Sequence, residues 1–306
     1  MKHTLGLVLA IVAIFFVTQI IGLYTLTFYV DIQKTAETGR TEIYSDRYII
    51  EPPTTDDTFS FAYIMLGILI GTALALLLLR FKKLMLWKFW FFISVAICLS
   101  LGLWPYINIL LDYFGVGNSQ LVSISTVIFS ALLAFLKITK PNVLIHNLTE
   151  VFIYTGIAVL LVPVLNMVSV VLLLALVSLY DMWAVWKTRH MVNLAKYQVS
   201  ANTFAGLRIP YSSFKLQTAH LDTTQKPSER GEKQAILGGG DIAFPLLFSG
   251  VVLKLTASFT AAVTVSGFAA ISLLLLFVFA KKQNFYPAMP FISLGCLLGW
   301  LVAWWL

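Results

Sequence analysis

The chain has 306 residues, 59% of them hydrophobic and 11% charged, with a formal charge of +7 and a mean hydropathy of +0.88. That balance excludes a soluble globular domain and indicates a polytopic membrane protein. The positive charge follows the membrane segments, so it gives no reason to expect a nucleic-acid partner.

The N-terminus, Met1-Lys2-His3 followed by apolar Leu5 to Val17, has the outline of a signal peptide. The apolar run continues to Val30 without a small-x-small cleavage site, so an uncleaved first span is expected. Hydrophobic runs of spanning length lie near 5–30, 59–79, 86–107, 119–136, 143–163, 165–186, 236–256, 258–280 and 287–306. Only Pro163 and Asn166 mark a turn between the fifth and sixth, where one long re-entrant segment is the alternative. Cys98 and Cys296 both lie in apolar runs and are expected to pack as small hydrophobes, with no disulfide and no metal.

Orientation follows from the basic residues. With the N-terminus inside, the cytoplasmic segments hold Lys2, Arg80, Lys82, Lys83, Lys88, Lys137, Lys140, Lys281, Lys282 and eight more between Lys187 and Lys233, which is 17 of 21. Lys34, Arg40, Arg47 and Lys254 fall outside, with eight of the fourteen acids. The fold expected is therefore all-α and polytopic, with nine transmembrane helices, a cytoplasmic N-terminus and an external C-terminus. Three parts follow: a six-helix part over 1–186, a cytoplasmic connection over 187–235 and a three-helix part over 236–306. The external stretch 31–58 is acidic and is expected to be ordered at least in part. Trp183 to Tyr197 can continue the sixth helix past the interface, whereas Gln217 to Gln234 is too polar to fold alone.

Two aspartates break the apolar pattern, Asp181 in Leu179-Tyr180-Asp181-Met182 and Asp241 in Gly238-Gly239-Gly240-Asp241. A carboxylate at bilayer depth costs about 3 kcal/mol or more, so it is seldom present without a use. Asp181 is expected about five residues before the cytoplasmic end of its helix and Asp241 about five after the start of the next. Both then lie about 8 Å below one interface, at 1.5 Å of rise per residue. Facing each other in low dielectric, the carboxylates cannot both ionise and share a proton. One serves as base for water and the other as acid for the scissile carbonyl or leaving amine. The glycines clear a full helical turn before Asp241, either for a substrate backbone or for a neighbouring helix. Tyr286-Pro287-Ala288-Met289-Pro290 opens the last span, and its two prolines forbid a regular first turn, although a proline there is also ordinary helix-start chemistry.

Together these residues resemble the presenilin and signal-peptide-peptidase family of intramembrane aspartyl proteases. Tyr180-Asp181 matches its Y-D motif on the sixth helix, Gly238-Gly239-Gly240-Asp241 its G-x-G-D on the seventh, and Pro287-Ala288-Met289 its P-A-L at the ninth. The small size looks most like the archaeal presenilin homologues. Methionine stands for leucine in the third motif, a near-isosteric change, and glycine fills the x of G-x-G-D. The resemblance implies an aspartic-type endopeptidase without a cofactor, with Asp181 and Asp241 as the catalytic dyad. Tyr180, Gly238, Gly239, Gly240, Pro287, Ala288 and Met289 would shape the site. It also implies a multi-pass protein of the lipid bilayer, the cell membrane in a prokaryote, whose substrates are single-span membrane proteins or signal peptides; a homo-oligomer is compatible with it.

Other chemistries lack their parts. No G-x-S-x serine with a mid-membrane histidine is present, nor H-E-x-x-H. His3, His190 and His220 are expected to be solvated. A proton-coupled transporter or cation channel would also use paired aspartates, but at the midplane rather than near one face. A prepilin-peptidase-like enzyme shares G-x-G-D but lacks the third motif. His146 and Glu150, four apart, are expected as an interfacial ion pair rather than a proton relay. Gly67-x-x-x-Gly71 and Gly295-x-x-x-Gly299 are expected as packing faces within the monomer. Lys254 is expected to snorkel.

Overall fold

The computed structural model describes residues 5–52, 59–81, 84–139, 142–188, 203–210, 234–279 and 286–305. Most of the connection over 187–235, with His190 and His220, lies outside these residues, as do His3 and the Lys281-Lys282 pair. Ten α-helices are described: α1 (Leu5–Tyr29), α2 (Ile32–Thr38), α3 (Ser60–Arg80), α4 (Leu84–Tyr113), α5 (Ser119–Thr139), α6 (Val143–Leu161), α7 (Met167–Trp183), α8 (Gly240–Thr256), α9 (Phe259–Phe279) and α10 (Met289–Ala303). Between α7 and α8 a two-stranded antiparallel sheet joins β1 (Gly206–Pro210) to β2 (Gln234–Gly238).

Nine of the ten helices coincide with the nine apolar runs, and α2 is the short polar exception. Leu5–Tyr29, Met85–Tyr113, Ser119–Thr139, Val143–Leu161 and Phe259–Phe279 are long and apolar enough to cross a membrane. Shorter apolar helices cover Ser60–Leu74, Met167–Trp183 and Met289–Ala303. The outward side chains are themselves apolar, for example Ile70 on α3, Ile128 and Phe135 on α5 and Leu294 on α10. A surface of that kind belongs against lipid, not water.

Boundaries follow local chemistry. Asn142 and Asn166 cap α6 and α7 by accepting from Leu144 N and Ser169 N, so the fifth and sixth runs are separate helices. Asp31 caps α2, which ends on Gly39 at φ 69°. The stretch after α2 then pairs Ile43 with Val30 and so returns to the end of α1.

The core lies where α1, α6 and α8 meet, with Leu7, Ile11, Phe15, Leu23 and Leu26 of α1 almost wholly buried. On one side α4 and α5 pack against α6; on the other, α9 packs on α1 and α8, and α10 on α9 and α7. At one end of the bundle, Lys254 of α8 donates to Thr41 Oγ1 at 2.8 Å and to the Pro163 carbonyl at 3.0 Å. Its 2% exposure corrects the expectation of snorkelling: oxygen ligands inside the protein hold the ammonium there.

Three further expectations change. Gly67 and Gly71 have open space where a Cβ would stand, so they are not a packing face in this monomer, whereas Gly295 and Gly299 do lie against Phe268 of α9. Lys137, counted above with the basic residues of the cytoplasmic segments, is 3% exposed and faces the bundle. The seventh run is not helical from its start, because residues 234–238 are a strand and α8 begins only at Gly240.

Candidate active site

The first aspartate sits two residues before the end of α7, which then widens into a π-helical turn over Ala184–Thr188. Asp181 Oδ2 accepts a hydrogen bond from Met289 N at 3.2 Å, and the Ala288 amide is the next one along the backbone. These amides are available because the first N–H groups of a helix lack intrahelical acceptors. Pro290 follows in the same first turn and brings no N–H of its own. One turn away, Ser178 Oγ and Ser293 Oγ share a 2.9 Å hydrogen bond that fixes the register of α7 against α10.

The second aspartate is the second residue of α8, not the fifth or sixth of a longer helix. Gly238 ends β2, Gly239 is the cap and Gly240 the first helical residue, so the glycines form a strand-to-helix turn instead of a helical turn. Gly238 lies against the Asp241 carboxylate: a Cβ there would stand 3.2 Å from Asp241 Oδ2. A Cβ on Gly239 would stand 2.6 Å from the Tyr154 hydroxyl, so the group that approaches this glycine is a side chain of α6. Gln19, fully buried on α1, donates to the carbonyl of Ile242 at 3.0 Å and pins the first turn of α8 from the other side.

Helices α7 and α8 are in contact, and Asp181 and Asp241 are within Coulombic reach of each other, both partly buried. Tyr180 lies beside Trp183, ring centroids 6.3 Å apart. Pro287 is buried just before α10. The three short motifs, 241 − 181 = 60 and 287 − 181 = 106 residues from the first aspartate, thus meet around one pair of carboxylates.

The family description "Signal-peptide peptidase, presenilin aspartyl protease" matches residues 12–306. The chain belongs to this family. Two solved structures, each described as a presenilin family intramembrane aspartate protease, share the fold. One, in a C222 crystal form, has a TM-score of 0.58 and 19% identity over 97% of this chain and 98% of that one. The other, in a P2 form, has a TM-score of 0.58 and 18% identity over 96% of each chain. A comparison with curated proteins found no match. Family members are intramembrane aspartyl proteases, and the apolar helices of this chain agree with an integral membrane protein.

Several residues around the pair were not singled out for this role in the sequence. Gln19 had a signal, an amide in the middle of an apolar span, and so did Glu150. Tyr154 and Asn147 had none, since their importance depends on where the sheet lies.

Proposed function

We propose that this protein is a G-x-G-D-type aspartic endopeptidase that cuts transmembrane segments of other membrane proteins, with Asp181 and Asp241 sharing one proton across the substrate carbonyl. Asp181 would be oriented by the amides of Ala288 and Met289, and Asp241 by the turn Gly238–Gly240. With one aspartate as base and the other as acid, water adds to the carbonyl, the tetrahedral adduct collapses, and the leaving amine takes a proton. Nine spans, with the N-terminus and the 187–235 connection cytoplasmic and the C-terminus outside, follow from the basic-residue distribution. The division at 186 and 235 then gives each aspartate to a separate helical part.

The observation that carries this reading is the position of a strand edge that has no partner strand among the described residues. Gly206 and Arg208 of β1 direct their backbone groups to α6, so by alternation Leu207 and Ile209 face β2. In the register Leu207↔Leu237 and Arg208↔Ile236, Ile236 turns its N–H and C=O to the far edge of a sheet that has two strands among the described residues. That edge runs directly into Asp241. A substrate helix unwound into an extended strand would add there and bring its backbone past the carboxylates. Family membership supports hydrolysis over transport. The test is cleavage of a panel of single-span substrates and signal peptides by the purified protein beside Asp181→Asn and Asp241→Asn. Cleavage by wild type alone is expected, and comparable cleavage by either variant overturns the assignment.

A further inference from the structure

Four ionisable or polar side chains at one end of α5 and α6 form a buried cluster that the proposed chemistry does not use. Lys137, His146, Thr149 and Glu150 are all less than a tenth exposed. Lys137 Nζ donates to Glu150 Oε1 at 2.5 Å, to Thr149 Oγ1 at 3.2 Å and to His146 Nδ1 at 3.3 Å, which uses its three hydrogens. His146 Nε2 donates to the Gly206 carbonyl at 2.8 Å, and since that carbonyl can only accept, the ring hydrogen is on Nε2 and Nδ1 receives Lys137. Glu150 Oε2 accepts from the Tyr154 hydroxyl and from Gly206 N at 3.1 Å. The expected His146–Glu150 ion pair is thus a 3.9 Å contact within a network whose bridge is Lys137–Glu150, buried inside the bundle.

The cluster and its neighbour Asn147 complete the closed edge of the sheet. Asn147 Oδ1 accepts from Arg208 N at 3.0 Å and its Nδ2 donates to Arg208 O at 2.7 Å. With Glu150 and His146 on Gly206, three side chains of one helix satisfy the N–H and C=O of both Gly206 and Arg208, as a neighbouring strand would. Glycine is needed at 206 within the sheet itself: its φ of 149° suits only glycine, and a Cβ there would run into the Leu237 carbonyl of β2 and stand 2.6 Å from the Phe204 ring.

Two connections lead from Glu150 to the second aspartate. One passes through Gly206, paired with Gly238, which lies against Asp241 Oδ2. The other passes through the Tyr154 hydroxyl, which stands against Gly239. Both end in the turn that delivers Asp241. We propose that Glu150, neutralised by Lys137 and assisted by His146 and Asn147, is a positioning residue: α6 acts as a surrogate strand that fixes the sheet, its open edge and the Asp241 turn. This role rests on the proteolytic reading given above.

Removing one partner of a buried ion pair strands the other charge and unfolds proteins for trivial reasons, so the pair is replaced together. Lys137→Met/Glu150→Met keeps volume and removes the acceptor for Gly206. Lys137→Met/Glu150→Gln keeps a carbonyl acceptor without charge. Hydrogen exchange, thermal unfolding and kcat and KM are measured on the full chain. For the Met/Met protein the expected result is an unfolding midpoint near wild type, with amides of 206–210 and 234–241 exchanging about tenfold faster while α1 and α9 are unchanged. Its kcat should fall about tenfold, and the Met/Gln protein should recover at least about a third of wild-type kcat. Asn147→Ala, which touches no charge, should raise exchange at 206–210 about threefold with an unchanged midpoint. Unchanged exchange in the sheet, or loss of kcat that follows the midpoint equally in both double variants, overturns the proposal. Exchange needs no substrate, so a wild-type protein that cleaves nothing defeats the proteolytic reading while the surrogate strand is decided on exchange alone.

Discussion

The backbone N–H of Met289 donates to Oδ2 of Asp181 at 3.2 Å, which ties the third motif to the first through a main-chain atom. A helix continued upstream through residue 287 would turn the amides of Ala288 and Met289 toward carbonyls one turn earlier and away from Asp181. Pro287 prevents this, because its ring disfavours the helical conformation before it and it has no N–H to extend the ladder. Pro287→Leu is therefore expected to lower kcat by about tenfold or more by misplacing Asp181, with thermal stability unchanged or raised. Initial rates and a melting curve on the same preparation decide it, and full activity with Leu at 287 would contradict the assigned role. Met289→Leu keeps the amide and the buried volume, so its rate should stay within about threefold.

Replacing either aspartate by asparagine removes the shared proton without adding a buried charge. Asp181→Asn and Asp241→Asn are each expected to abolish cleavage in protein that extracts and melts like wild type. Since the pair works with one proton, raising pH through its upper ionisation removes the acid and the rate declines. On the acid side, protonating the remaining carboxylate removes the base, so the profile is a bell lying in the acidic to neutral range. A rate that climbs without limit to alkaline pH contradicts the dyad.

Gly239 and Tyr154 offer a pairwise test of the turn. Gly239 has φ −64°, which alanine adopts freely, so the cost of Gly239→Ala is the clash of its Cβ with the Tyr154 hydroxyl at 2.6 Å. Activity should fall for Gly239→Ala and recover in part when Tyr154→Phe removes that oxygen. The coupling expected between the two substitutions is about 1–2 kcal/mol in kcat/KM. Strictly additive effects would mean that the turn yields elsewhere.

The helices were legible because each apolar run is long and bounded by charge, and the fifth and sixth were separable through the Asn166 cap. The start of α8 was not legible, since Ala235-Ile236-Leu237 is apolar whether it forms a strand or a helix, and the partner strand at Leu207-Arg208-Ile209 lies in the polar connection. Lys137 read as an interfacial charge because its partner Glu150 is on the next helix, thirteen residues away, beyond what spacing within one helix can reveal. Both aspartates were found through motifs, and Ala288 and Met289 with them; Gln19 shows only as an amide in an apolar span, and Tyr154, which acts across helices on the Gly239 turn, leaves no pattern in one sequence.

Substrate capture on the open edge of β2 gives the last prediction. Helical amides are occupied by their own hydrogen bonds, so a transmembrane substrate reaches the carboxylates only after local unwinding. The edge at Ile236 offers an N–H and a C=O in return, and Ile236 is 44% exposed beside buried Ala235 and Leu237. Helix-destabilising residues near the cut site should speed cleavage, and leucine-rich replacements should slow it, by about tenfold across a series spanning about 1.4 kcal/mol of helix stability. Ile236→Pro deletes the outward N–H from the edge and leaves the inward bonds of Ala235 and Leu237 in place. It should raise KM more than it lowers kcat, because the lost bond holds the bound strand and not the reacting carbonyl. The two arms are independent. Equal rates across the substrate series, with an Ile236→Pro enzyme of unchanged KM, would rule out strand addition even if both aspartates prove essential.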